Sequence, residues 1–187
     1  MIVTIREKIR ALVGDFSKTS EEAFIYVTSA IFTIAQDNIT VSSVAVNGSV
    51  SGVTYTFSST TNKVTVTSSL TTNDVVLVSY TYNKYSSDEL DEYIRAALVW
   101  MSVYSYETED YEIESNDIIS PTPDNKTTDI ICLIASILIN PDYSQYKLPN
   151  VTVVYPRNMS KELRIEKLIG RVNFGLGICD TINFNII

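Results

Sequence analysis

Apolar positions along the chain change their period several times, and each change marks an element. Ile5, Ile9, Leu12 and Val13 recur at the three-to-four spacing that puts one stripe on a helix. Thr4 and Glu7 have the spacing of a capping box and Gly14-Asp15 supplies a stop, so a short first helix is predicted from Thr4 to Val13. So short a helix is marginal alone and needs a partner. From about Ala23 to Tyr82 the period falls to two, in Val, Thr, Tyr, Phe and Ser, broken at Asn47-Gly48, Gly52, Asn62-Lys63 and Asn73-Asp74. Strands are expected near Phe24 to Ile34, Val41 to Val46, Val53 to Phe57, Lys63 to Thr67 and Val75 to Tyr82.

The helical period returns abruptly in "DVVLVSYTYNKYSSDELDEYIRAAL". Ser86 and Glu89 form a second capping box, with Tyr85 and Leu90 placed as its hydrophobic staple. Asp88, Glu89, Asp91 and Glu92 stand near the positive end of the helix dipole, and Leu90, Ile94, Ala97, Leu98 and Met101 make the apolar face. A strand passing into a capped helix with no linker reads as a β module inserted into a helical protein. The acidic, Pro-containing "YETEDYEIESNDIISPTPDN" predicts an exposed loop after the helix ends near Tyr106. A third helix is expected over Asn125 to Ile139, stopping before Asn140-Pro141. Next comes an irregular segment with one extended piece, Val151 to Tyr155. A fourth helix from Ser160 carries Leu163, Leu168, Ile169 and Val172 toward a core. The expected fold class is α+β: a small helical bundle of about four helices, residues 1–23 together with 84–187, with an inserted β-sandwich or barrel-like module at 24–83.

Composition narrows the chemistry. A chain of 187 residues that is 45% hydrophobic buries a core without disulfides or metals. Cys132 and Cys179 match no zinc or redox spacing and read as free buried thiols. "MIVTIREKIRALVG" reads as an amphipathic helix rather than a signal peptide, which gives an expectation of cytoplasmic synthesis. The most apolar run, Ile130 to Ile139, falls short of the roughly 20 residues that span a bilayer. A net charge of -8 argues against sequence-independent binding of nucleic acid. Arg6, Lys8 and Arg10, and Lys161, Arg164, Lys167 and Arg171, read as solvated helix faces, with contact to an acidic partner as the alternative.

The chain has no histidine, and neither phosphate-cradling glycine motif appears. Glu107, Glu109, Asp110, Glu112, Glu114 and Asp117 lack the spacing and glycine of an EF-hand and read as a solvated acidic loop. No catalytic, cofactor or metal residue is nominated, and a non-enzymatic role is expected. Tyr104, Tyr106, Tyr111, Tyr143, Tyr146 and Tyr155 fall in segments read as exposed, where they serve an interface or pack on their own domain. The nonpolar tail "ICDTINFNII" offers Ile178, Ile182, Phe184, Ile186 and Ile187 as a candidate assembly interface. It either closes the chain's own fold or docks on a neighbour by strand addition.

In the order of its elements, and above all in "IRALVGD" and "DVVLVSYTYNKYSSDELDEYIRAAL", the chain resembles the head-to-tail connector proteins of tailed bacteriophages, also called adaptor or head-completion proteins. The large β insertion departs from the all-helical minimal members. The resemblance implies a structural virion protein of the phage neck, assembled in the host cytoplasm. Its copies would form a dodecameric ring that joins the portal to the tail and extends the DNA channel. The implied partners are the portal protein and tail or other neck proteins, with no cofactor and no membrane. DNA would pass without specific binding, repelled by an acidic lining. The tail would join ring neighbours or the portal, and the strand-to-helix junction would hold the β module at a fixed angle. The alternative is a β-rich tail-surface or adhesion module that binds a host ligand.

Overall fold

The computed structural model describes residues 2–104, 111–114, 118–148, 151–156, 158–173 and 181–183. Helix α1 (Ile2–Val13) is followed by strands β1 (Lys18–Ile25), β2 (Ile31–Thr33), β3 (Ile39–Val46), β4 (Tyr55–Ser58), β5 (Lys63–Val66) and β6 (Val75–Tyr82). Helix α2 (Ser87–Tyr104), strands β7 (Glu112–Glu114) and β8 (Ile118–Ser120) and helix α3 (Asn125–Ile139) come next. The chain ends with β9 (Gln145–Leu148), β10 (Val151–Val154), α4 (Lys161–Asn173) and β11 (Thr181–Asn183). It divides into two compact units, residues 16–86 and residues 1–15 with 87–187, giving an α+β chain with an inserted β unit.

The β unit is a sandwich of two three-stranded antiparallel sheets, ordered β1-β6-β3 and β2-β5-β4. Alternation in β6 turns Val76, Val78 and Tyr80 inward, where they meet Phe32, Ile34, Val44, Val64 and Val66 in one core. The turns fall at the asparagines that punctuate the sequence: Asn47, Asn62 and Asn73 have φ of 49°, 52° and 77°, the left-handed region Asn tolerates best after glycine. The start of the unit corrects the sequence reading, which placed it at residue 24. Lys18–Ala23 looks too polar for a strand, yet β1 pairs with β6 from Lys18↔Tyr82 to Ile25↔Val75 as an edge strand. The single strand expected from Phe24 to Ile34 is two, because the chain leaves one sheet after Ile25 and enters the other at Ile31.

In the helical unit α3 is the central element: every residue from Ile130 to Ile137 is buried. Burial on all sides explains why its sequence is apolar without a period. α1 packs on it through Ile2, Ile5, Ile9 and Leu12, and α2 through Leu90, Ile94, Ala97 and Met101. Ion pairs fix these helices, since Arg6 binds Asp91 of α2 through Nε (2.7 Å) and Nη2 (2.5 Å), and Lys8 binds Asp129 of α3 at 2.7 Å. The basic residues of α1 therefore serve internal pairs rather than a solvated face. α1 begins at Ile2, so Thr4 lies inside its first turn instead of capping it. It stops at Gly14 (φ 70°), where the Asp15 amide donates back to the Arg10 carbonyl at 2.8 Å.

Helix α2 starts at Ser87, which leaves Ser86 at the cap position its spacing predicts. The Asp124 carboxylate caps α3 by accepting from the Thr127 amide at 2.7 Å, and the Ser160 hydroxyl accepts from the Leu163 amide at 3.3 Å at the start of α4. Asp124→Ala is expected to cost about 1 kcal/mol in urea denaturation and Asp124→Asn much less, since only the first removes the acceptor. Two further pieces of the unit differ from expectation. The stretch read as an exposed loop holds the β7–β8 hairpin, pairing Glu112↔Ser120 to Glu114↔Ile118, with Ile119 buried. The segment after α3 holds a second strand, β9, antiparallel to β10, and β11 adds to β10 in parallel.

Candidate interaction surface

The side chains nominated from the sequence separate sharply. In the tail, Ile182 lies in β11 opposite Val153 of β10, so this part pairs within its own unit. Ile178, Phe184, Ile186 and Ile187 lie outside the described residues. Among the tyrosines, Tyr146 and Tyr155 are buried while Tyr104 and Tyr143 are exposed. Tyr111 is half-buried, and Tyr106 lies outside the described residues.

α4 corrects the charge reading most. Its inward face is Arg164, Ile165, Leu168 and Ile169, whereas Leu163, expected inside, is exposed. The side chain of Val172 is outside the described residues. Arg164, read as solvated, is 1% exposed, and its Nη1 donates to the carbonyls of Pro141 (2.5 Å) and Tyr143 (2.7 Å). Its guanidinium stands 5.6 Å from the centre of the Tyr155 ring, and the Tyr146 hydroxyl donates to the Asn140 carbonyl at 2.5 Å. Arg164 and Tyr146 thus receive the carbonyls of the C-cap residue Asn140 and of the turn that follows α3, beside the helix end where the dipole favours positive charge. This cluster is a structural clasp.

The outer side of α2 is different. Val99 and Val103, one turn apart, are 61% and 67% exposed and point away from the core residues Ala97, Leu98 and Met101. Trp100 and Tyr104 stack beside them with ring centres 5.2 Å apart and planes at 16°. These four side chains line an apolar cup of about 210 Å³. A groove of about 510 Å³ shares Val99 and runs between α2 and β7, lined also by Arg95, Leu98, Ser102, Tyr111, Glu112 and Ile113. Arg95 approaches Glu92 only at 3.8 Å in an exposed pair, so it stays available to a partner. The surface combines aromatic and aliphatic bodies with flanking charge, the composition of a binding face. The signal was present in the sequence, because "AALVWMSVY" from Ala96 to Tyr104 is apolar on the core side and on the opposite side as well.

Groups with potential reactivity lie elsewhere. Cys132 is buried in α3, and desolvation pushes its thiol up to about 12. Burial likewise raises the phenols of Tyr146 and Tyr155. Among the described residues no cluster of three or more Cys, Asp or Glu stands close enough to hold a metal ion, and no helix is long and apolar enough to cross a membrane. No protein-family model matches the chain, and no curated protein matches it.

Proposed function

We propose that this chain is a structural protein of the neck of a tailed bacteriophage, one subunit of a ring that joins the portal to the tail and continues the DNA channel. The observation that carries the reading is the outer side of α2, where Val99, Trp100, Val103 and Tyr104 leave a contiguous apolar surface on a helix whose other side is already buried. A helix apolar on both sides is suited to an assembled state. The net charge of -8 suits a conduit that must let phosphate pass without holding it. In this reading the subunits form a dodecamer, and the apolar residues beyond β11, Phe184, Ile186 and Ile187, contact the portal or the next subunit.

Native mass spectrometry of the purified protein, alone and mixed with the portal protein of the same genome, tests the proposal. Rings, or recruitment that depends on the portal, are the expected result. A monomer that ignores the portal at every ratio removes the neck reading. It would direct attention to a second reading, a ligand-binding β unit, favoured by Ile25 and Val75, which are exposed and paired across β1 and β6 at the end of that sandwich farthest from residues 18 and 82.

A further inference from the structure

We infer that two copies of this chain pair edge to edge through β1, antiparallel about a twofold axis at Ser20, so that the sheet β1-β6-β3 of one continues into that of the other. A twofold contact has no place between neighbours of a cyclic ring. The pairing therefore belongs to the free subunit and does not rest on the neck reading.

The backbone leaves β1 open. The strand ends its sheet and pairs on one side alone, with β6, over eight residues without a register shift or a proline. At the other end of the sheet, β3 is interrupted by a register shift between Val41 and Ser43, one of the devices that blunt an edge. Val75, opposite Ile25, fixes which groups of β1 are unused. Its carbonyl accepts from the Asn47 amide at 2.8 Å and its amide donates to the Asn47 side chain at 2.9 Å, so both its backbone groups turn toward β3. By alternation Thr19, Glu21, Ala23 and Ile25 aim N–H and C=O at the open side of β1. All four are exposed, and no other strand of the described residues takes up those groups.

Side chains select the occupant. A twofold axis perpendicular to the sheet keeps the core-facing sides of both copies together, so residues of equal parity stand opposite each other. With the axis at Ser20, Lys18 of each copy faces Glu22 of the other and Thr19 faces Glu21. Lys18 is exposed and has no ion pair among the described residues, while Glu22 is held by the Tyr80 hydroxyl at 2.7 Å and the Ala35 amide at 3.2 Å. Phe16, two residues before β1 and 66% exposed, falls opposite Phe24, whose ring already lies 5.2 Å from that of Phe32. An axis at Glu21 or Glu22 sets a carboxylate against its own copy. At Thr19 it sets Phe16 against Glu22, and at Ala23 it sets Glu21 against Ile25. β3 of a second copy has no charged residue to offer Lys18 and Glu22. Self-pairing at Ser20 alone joins unlike charges and aromatic with aromatic.

Sedimentation velocity over a concentration series reads the dimer, and circular dichroism melts establish that each variant folds. Wild type is expected to exchange between monomer and dimer. Lys18→Glu turns both unlike pairs into like ones and should weaken the dimer at least about tenfold. Thr19→Pro removes a donor on the open side but no bond to β6, and should leave a monomer. Ser20→Cys, made together with Cys179→Ser, reads the register, because opposed residues of a non-hydrogen-bonded antiparallel pair lie within disulfide reach. Copper-phenanthroline oxidation should convert it to a covalent dimer, and Glu22→Cys in the same background should stay uncross-linked. Wild type monomeric at every concentration, Lys18→Glu dimerising as tightly as wild type, or cross-linking through position 22 rather than 20 would each overturn the pairing. Recruitment of Lys18→Glu by the portal protein bears on the neck reading alone.

Discussion

Arg164→Ala is expected to lower the stability of the helical unit by about 3 kcal/mol, measured as a shift of the urea midpoint with little change in slope. Two terms compete. Removing the side chain relieves the cost of keeping a guanidinium 1% exposed. Against this, the carbonyls of Pro141 and Tyr143 lose charge-assisted donors at 2.5 and 2.7 Å, and that of Pro156 loses a weaker one at 3.4 Å. Each charge-assisted bond contributes about 1.5–3 kcal/mol, and alanine leaves a cavity against Tyr155, so the loss exceeds the relief.

The substitution also releases three chain segments at once. Pro141 and Tyr143 follow α3, Pro156 follows β10, and Arg164 is the point on α4 that holds them together. Arg164→Lys keeps the charge and loses the planar fork, so it should fall between wild type and alanine. A midpoint for Arg164→Ala indistinguishable from wild type would show that water replaces the guanidinium at little cost and that the clasp is incidental.

What was legible in the sequence was local. β6 announces itself by alternation and α3 by an unbroken apolar run with Asp124 before it, and the core face of α2 follows from spacing alone. The features that were not legible depend on distant partners. Lys18–Ala23 becomes a strand only because β6, more than fifty residues later, supplies the ladder. β7, β8 and β9 are three or four residues each, too short for a period to show. Arg164 differs in no local way from its neighbour Lys167, since its acceptors lie 8 to 23 residues away. On α4, choosing Leu163 over Ile165 rotated the expected face, and the error hid an exposed leucine beside a lysine. The outer side of α2 was missed for the opposite reason. Once five positions accounted for a core face, Val99 and Val103 looked redundant, although apolar residues on both sides of a helix call for a second partner.

Alkaline pH should progressively destabilise the helical unit, and the sign follows from burial. The Cys132 thiol is pushed up to about 12 in the folded protein, mainly by desolvation, with Lys8 and Asp129 nearby pulling in opposite directions. In the unfolded chain a thiol titrates near ~8.5, so the unfolded state loses its proton first as pH rises. The stabilisation is therefore complete below that ordinary value and is lost as pH climbs toward the folded one, at a slope of ~1.4 kcal/mol per pH unit. Tyr146 and Tyr155 are raised by burial too, and add to the decline once pH passes the ordinary phenol value of ~10. Against a total stability of about 5–15 kcal/mol the combined loss is a large fraction. Urea midpoints taken at intervals from pH 8 to 11 should fall throughout, and Cys132→Ala should flatten the first part of the curve while leaving the tyrosine part. Native Cys132 should also resist iodoacetamide at pH 8, with labelling located by peptide mass. A flat profile to pH 11, or alkylation of Cys132 at the rate of a free small thiol, would mean that α3 opens often enough for water to reach its centre, and the picture of a fully enclosed third helix would have to be abandoned.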